Sequence, residues 1–110
     1  MAYDEDLADR IREATGAVER LTEKRMFGGL AFLVNGNMAV AASGQGGLLL
    51  RVDPKESEEL VDDVQVTRME MRGKEMDGWL RVAEAAVHQD ADLRRWVDIG
   101  VGYAASLPAK

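Results

Sequence analysis

The chain of 110 residues has no cysteine, which excludes a disulfide framework, a thiolate metal site and a cysteine nucleophile. Histidine occurs once, at His88. A zinc site there would need carboxylates for its remaining ligands. A Ser-His-Asp triad would have to recruit Ser43, Ser57 or Ser106 without a nucleophile-elbow context, so a solvated loop histidine is the simpler reading. Aromatic residues are scarce, 5% against 46% hydrophobic residues overall. The core must therefore be aliphatic, with Phe27, Phe32, Trp79 and Trp96 as large anchors. Positive charge is in deficit, 14 bases against 20 acids, for a net charge of −6. That balance disfavours direct nucleic-acid binding, where Lys and Arg supply the phosphate contacts, and it equally disfavours an anionic membrane surface. No apolar run approaches the roughly 20 residues of a membrane span, and the opening Tyr3-Asp4-Glu5-Asp6 is acidic where a signal peptide is basic. A cytoplasmic protein is expected.

The sequence carries one domain, 1–110, with enough apolar content to bury a core and enough charge to stay soluble. Asp4 is placed to cap a first helix to about Thr15, carrying Leu7, Ile11, Ala14 and Val18 at helical spacing, with Gly16 to end it. A strand is expected from Thr22 to Val34, with Gly28-Gly29 as a bulge or close approach within it. Asn35-Gly36 marks a hairpin turn, since both central residues of a type I′ turn take positive φ. Asn37 to Ala42 and Leu48 to Val52 follow as strands. Asp53-Pro54-Lys55-Glu56 reads as a cap, a first helical position and a capping-box acid, which predicts a second helix over Pro54 to Val61. Val64 to Met71 is a fourth strand whose apolar phase slips between Val66 and Met69, the mark of a bulge or of a late start. Gly73-Lys74-Glu75 is a turn, Trp79 to Val82 a fifth strand, and Asp90 opens a last helix through Leu93, Trp96, Val97, Val101 and Ala104.

The fold class is therefore α+β in two layers, α-β-β-β-α-β-β-α, with a five-stranded, mainly antiparallel sheet and helices on one face. The strands are apolar on both faces, as Leu30, Phe32 and Val34 alternate with Ala31 and Leu33. A half-solvated sheet is polar on its outer side, so a homodimer covering the second face is expected.

Candidate sites are few. Arg25, Phe27, Gly28 and Gly29, with Arg51 nearby, could present a guanidinium and open backbone N–H groups to an anionic ligand. The competing reading pairs Arg25 with a surface acid and leaves the glycines to shape a bulge, and it is favoured. Gly44-Gln45-Gly46-Gly47 leads into a strand rather than a helix and reads as a loop. The acids Glu56, Glu58, Glu59, Asp62 and Asp63 lack calcium-loop spacing and read as a solvated face. Met69, Met71 and Met76 fit core filling better than a partner surface, and Trp96 and Tyr103 fit a core stripe better than a partner groove. No catalytic residue, metal site or cofactor motif stands out.

The string Arg25-Met26-Phe27-Gly28-Gly29, with Asn35-Gly36-Asn37-Met38-Ala39, Leu50-Arg51-Val52, Gly73-Lys74-Glu75-Met76, Gly78-Trp79, Asp92-Leu93-Arg94-Arg95-Trp96 and Ser106-Leu107-Pro108, resembles the N-terminal domain of the TfoX/Sxy family. The resemblance implies one α+β domain and a non-enzymatic regulatory or protein-interaction role. Its best-known members are two-domain regulators of natural competence that act with the cyclic-AMP receptor protein. The chain ends at Lys110, so the helical C-terminal domain of those members is expected to be absent. A protein partner in transcription is the partner that the resemblance implies. The alternative is a small anionic-ligand-binding or enzymatic domain built on Arg25 to Gly29.

Overall fold

A computed structural model describes residues 3–26 and 28–109. Phe27, one of the candidate ligand residues, lies outside the described residues, as does the side chain of Met71. Helix α1 (Glu5–Ala14) begins where its signals predict, with the Asp4 carboxylate accepting the Leu7 N–H at 3.2 Å and Glu5 and Asp6 at the positive end of the helix. It ends at Ala14 with Thr15 as its C-cap, directly before the Gly16 expected to close it, and the Thr15 hydroxyl donates to the Ile11 carbonyl at 2.8 Å. Leu7, Ala8 and Ile11 are its buried stripe.

The run expected as one strand is two. β1 (Leu21–Met26) and β2 (Gly29–Val34) form an antiparallel hairpin, with Met26 opposite Gly29, so the chain reverses between them. Gly28 takes φ 74 there. Gly28 thus lies in a turn and Gly29 opens β2, in place of a bulge within one strand, and the strand count rises from five to six. β3 (Asn37–Ala42) follows the Asn35-Gly36 turn, whose φ values of 54 and 81 are both positive as a type I′ hairpin requires. β4 (Leu48–Arg51) continues the meander.

Helix α2 (Ser57–Leu60) is a single turn, shorter than expected. The Asp53 carboxylate accepts the Lys55 N–H at 3.0 Å and the Asp53 carbonyl accepts the Glu56 N–H at 2.8 Å, so the cap-like residues close a tight turn before the helix starts. β5 (Val66–Met71) also starts late. The Asp62 carboxylate gathers the N–H groups of Val64, Gln65 and Val66 at 2.8, 2.8 and 2.9 Å, and this loop leaves Val64 82% exposed outside the sheet. β6 (Lys74–Val82) is longer than the expected fifth strand, starting directly after an Arg72-Gly73 turn. A 3₁₀ turn over Glu84–Val87 leads to α3 (Asp90–Ser106).

The sheet order is β1-β2-β3-β4-β6-β5, and every neighbouring pair is antiparallel. The register shifts between Phe32 and Leu33 and between Arg68 and Glu70, the second matching the slip read between Val66 and Met69. The main core lies between the sheet and the helices, where Phe32, Val40, Leu48, Leu50 and Leu80 meet Ile11, Leu93, Trp96 and Val97. Gly100 lets α3 rest directly on β3, since a methyl group there would collide with the Ala39 carbonyl and the Leu50 side chain. That close approach offsets its poor helix propensity.

A second cluster, made only of strand residues, fills the other face: Ala31, Leu33, Met38, Ala41, Leu49 and Met69, flanked by Met26 and Trp79. A second copy was expected to cover this face. The single chain already does so, leaving Leu49 1% exposed. Arg81 stands opposite Leu49 and donates to the Ser43 hydroxyl at 3.1 Å, which lays its aliphatic stem across that face. The methionines, long and unbranched, fill the remaining gaps.

Candidate functional site

The β1–β2 hairpin places Lys24 and Arg25 in an exposed edge strand, opposite Ala31 and Leu30. Charges there discourage a further strand from adding to the sheet. Gly28 is exposed, whereas Gly29 is buried, and a methyl group on Gly29 would collide with the Ala42 carbonyl of β3. Gly29 is thus explained by strand packing. Arg25 has no ion-pair partner among the described residues.

Arg51 does not join this hairpin. It ends β4, with β2 and β3 between it and β1, and it stands opposite Trp79, which packs on the second cluster. Arg25 stands opposite Leu30 of the main core, three strands away from Arg51. What the fold does bring together is Arg51 with two rings: its guanidinium carbon lies over Trp79 at 5.2 Å from the centroid and over Tyr103 of α3 at 5.8 Å. All three side chains are half-buried. Each contact is in the range where the ring quadrupole attracts a cation. The strand-end position of Arg51 was visible in the sequence, but the meeting of residues 51, 79 and 103 depends on tertiary structure. Trp96, by contrast, is buried in the main core, with Arg95 over its ring at 5.0 Å.

Arg10 anchors the opposite kind of site. From α1 it donates to the carbonyls of Val87 and His88 at 2.9 and 3.1 Å and to the Asp90 carboxylate at 2.9 Å, clasping the 3₁₀ turn to the start of α3. His88 enters this contact through its backbone and its ring is exposed. The clearest titration shifts also sit in structural contacts. The hydrogen bonds that Arg12 donates to the carboxylates of Glu23, then Asp9, raise Arg12, and the same Arg12 contact lowers Glu23. Asp62 is lowered by the N–H groups of Val66, Val64 and Gln65 that it gathers. An open cleft of about 440 Å³ at the β5 edge has Arg68 and Arg81 beside Asp63, Glu70 and Glu75, a lining of mixed charge with one acid in excess. Among the described residues no group of three or more His, Asp or Glu is placed to hold a metal.

The family model of the TfoX N-terminal domain matches residues 13–104. The chain belongs to the TfoX N-terminal domain family. The matched span includes the β1–β2 hairpin, Arg51, Trp79 and Tyr103, and it leaves out most of α1. No match was found among curated proteins or solved structures. Membership of the TfoX N-terminal family brings no catalytic residue to any of these positions.

Proposed function

We propose that this chain is a TfoX-type regulatory module that works by protein contact and is linked to transcription, without catalysis of its own. The observation that carries the reading is the family match over residues 13–104. The net charge of −6 supports action through another protein rather than on DNA. The half-exposed arginine and aromatic rings at the end of β4 supply residue types that carry binding energy at protein interfaces. A dimer is not needed to bury the doubly apolar strands, because the chain covers its second sheet face itself. The alternative, an anion site at Arg25 to Gly29, loses its main support now that Gly29 is explained by the Ala42 carbonyl.

Affinity capture from the native host, paired with mass measurement of the purified chain, tests the proposal. The expected result is stoichiometric recovery of a protein of the transcription apparatus. Recovery of no protein under any growth condition would contradict it.

A further inference from the structure

Four arginines are half-buried, and three of them end on an oxygen of the chain. Arg10 reaches Asp90 and two carbonyls, Arg81 reaches Ser43, and Arg68 lies 3.4 Å from Asp77. Arg51 ends on two rings, and among the described residues no hydrogen bond or ion pair engages its guanidinium. Of the acids beside the cluster in sequence, Asp53 accepts the Lys55 N–H at 3.0 Å, and Asp77 lies 3.4 Å from the Arg68 Nε without a hydrogen bond. A guanidinium is planar, and two of its parallel N–H donors match one carboxylate. Trp, Tyr and Arg together are also the residue types that dominate binding hot spots.

We infer that Arg51, flanked by Trp79 and Tyr103, forms a docking site for a single carboxylate carried by an otherwise basic protein segment. The inference rests on the protein-contact reading and names its surface. The net charge of −6 sets the partner's character, since this field attracts a basic chain and repels a polyanion. The rings already contact the guanidinium before the partner arrives, so less side-chain freedom is lost on docking.

The test uses the whole chain labelled with nitrogen-15, observed at the Arg51 Nε–H and the two indole N–H groups. The probe is the acetylated, amidated tetrapeptide Lys-Phe-Glu-Lys, compared with its Lys-Phe-Gln-Lys isostere and with inorganic phosphate. Arg51 and Trp79 should shift saturably with the glutamate peptide, about tenfold more weakly with the glutamine peptide, while buried Trp96 stays still. Arg51→Lys keeps the charge without the fork and should lose about tenfold in affinity. Tyr103→Leu leaves Arg51 in place and should also weaken binding; it carries the test if Arg51→Lys does not fold. Equal response to the two peptides, tighter saturation by phosphate, or no saturable shift would each overturn the site. If a host protein is captured equally by wild type and Arg51→Lys, the protein-contact reading stands and its surface lies elsewhere. A carboxylate response without any captured protein would leave the site and remove the reading.

Discussion

Arg10 and Arg51 start alike, as half-buried arginines at the end of a secondary-structure contact, and finish in opposite states. The Arg10 guanidinium meets three oxygens from the segment it holds, and that segment is the connection between β6 and α3. Arg51 meets ring faces only. The difference teaches how to separate a structural arginine from a recognition arginine within one fold: the first has its donors satisfied by oxygens of the chain, the second rests beside rings with no oxygen partner among the described residues.

Four substitutions break or sharpen this comparison. Gly29→Ala has the largest expected effect, because a methyl group must displace the β3 backbone at Ala42. A loss of roughly 3 kcal/mol on denaturant unfolding is expected. A near-neutral result would reopen the hairpin as a ligand site. Arg10→Ala should cost about 2 kcal/mol, chiefly from the two carbonyls left without a charged donor, since Asp90 is 92% exposed and adds little. Arg51→Ala should cost about 1 kcal/mol or less, the scale of cation–π contacts at partly exposed sites. Equal losses at the two arginines, compared by their melting curves, would erase the distinction.

Glu23→Gln should have the smallest effect and a pH signature. Hydrogen bonds from Arg12 hold the Glu23 carboxyl below its ordinary value of 4.5. A depressed folded-state pKa contributes stability that is complete above the unfolded value and is lost as pH falls through the folded one. The variant should therefore lose less stability than wild type on acidification below that ordinary value. Both side chains of this pair are over a third exposed, so the difference should shrink further in salt. Parallel acid limbs for the two proteins at low salt would show that the pair contributes nothing.

How much of this was legible in the sequence depended on the range of the signal. The Asp4 cap, the Asn35-Gly36 turn and the slip between Val66 and Met69 are local, and the structure shows each. The split at Gly28 was not legible, because β1 is polar on both faces and a glycine pair permits a bulge as readily as a turn. The second helix was overread because the Asp53 carboxylate closes a turn onto Lys55 instead of capping a longer helix. The self-covered second face was missed because its cover comes from long side chains reaching across strands, as Arg81 does to Ser43. The grouping of Arg25 with Arg51 failed for a related reason, since strand order is set only when the sheet assembles.

The most direct measurement of the central claim is hydrogen exchange at the arginine Nε–H groups of the free chain. The Nε–H of Arg10 donates to Asp90 at 3.2 Å and that of Arg12 to Glu23 at 2.8 Å, whereas Arg51 has ring faces alone. Exchange at Arg51 should be clearly faster than at Arg10 and Arg12, and it should slow when the glutamate peptide is added. Protection of Arg51 in the free chain equal to that of Arg10 would contradict the account.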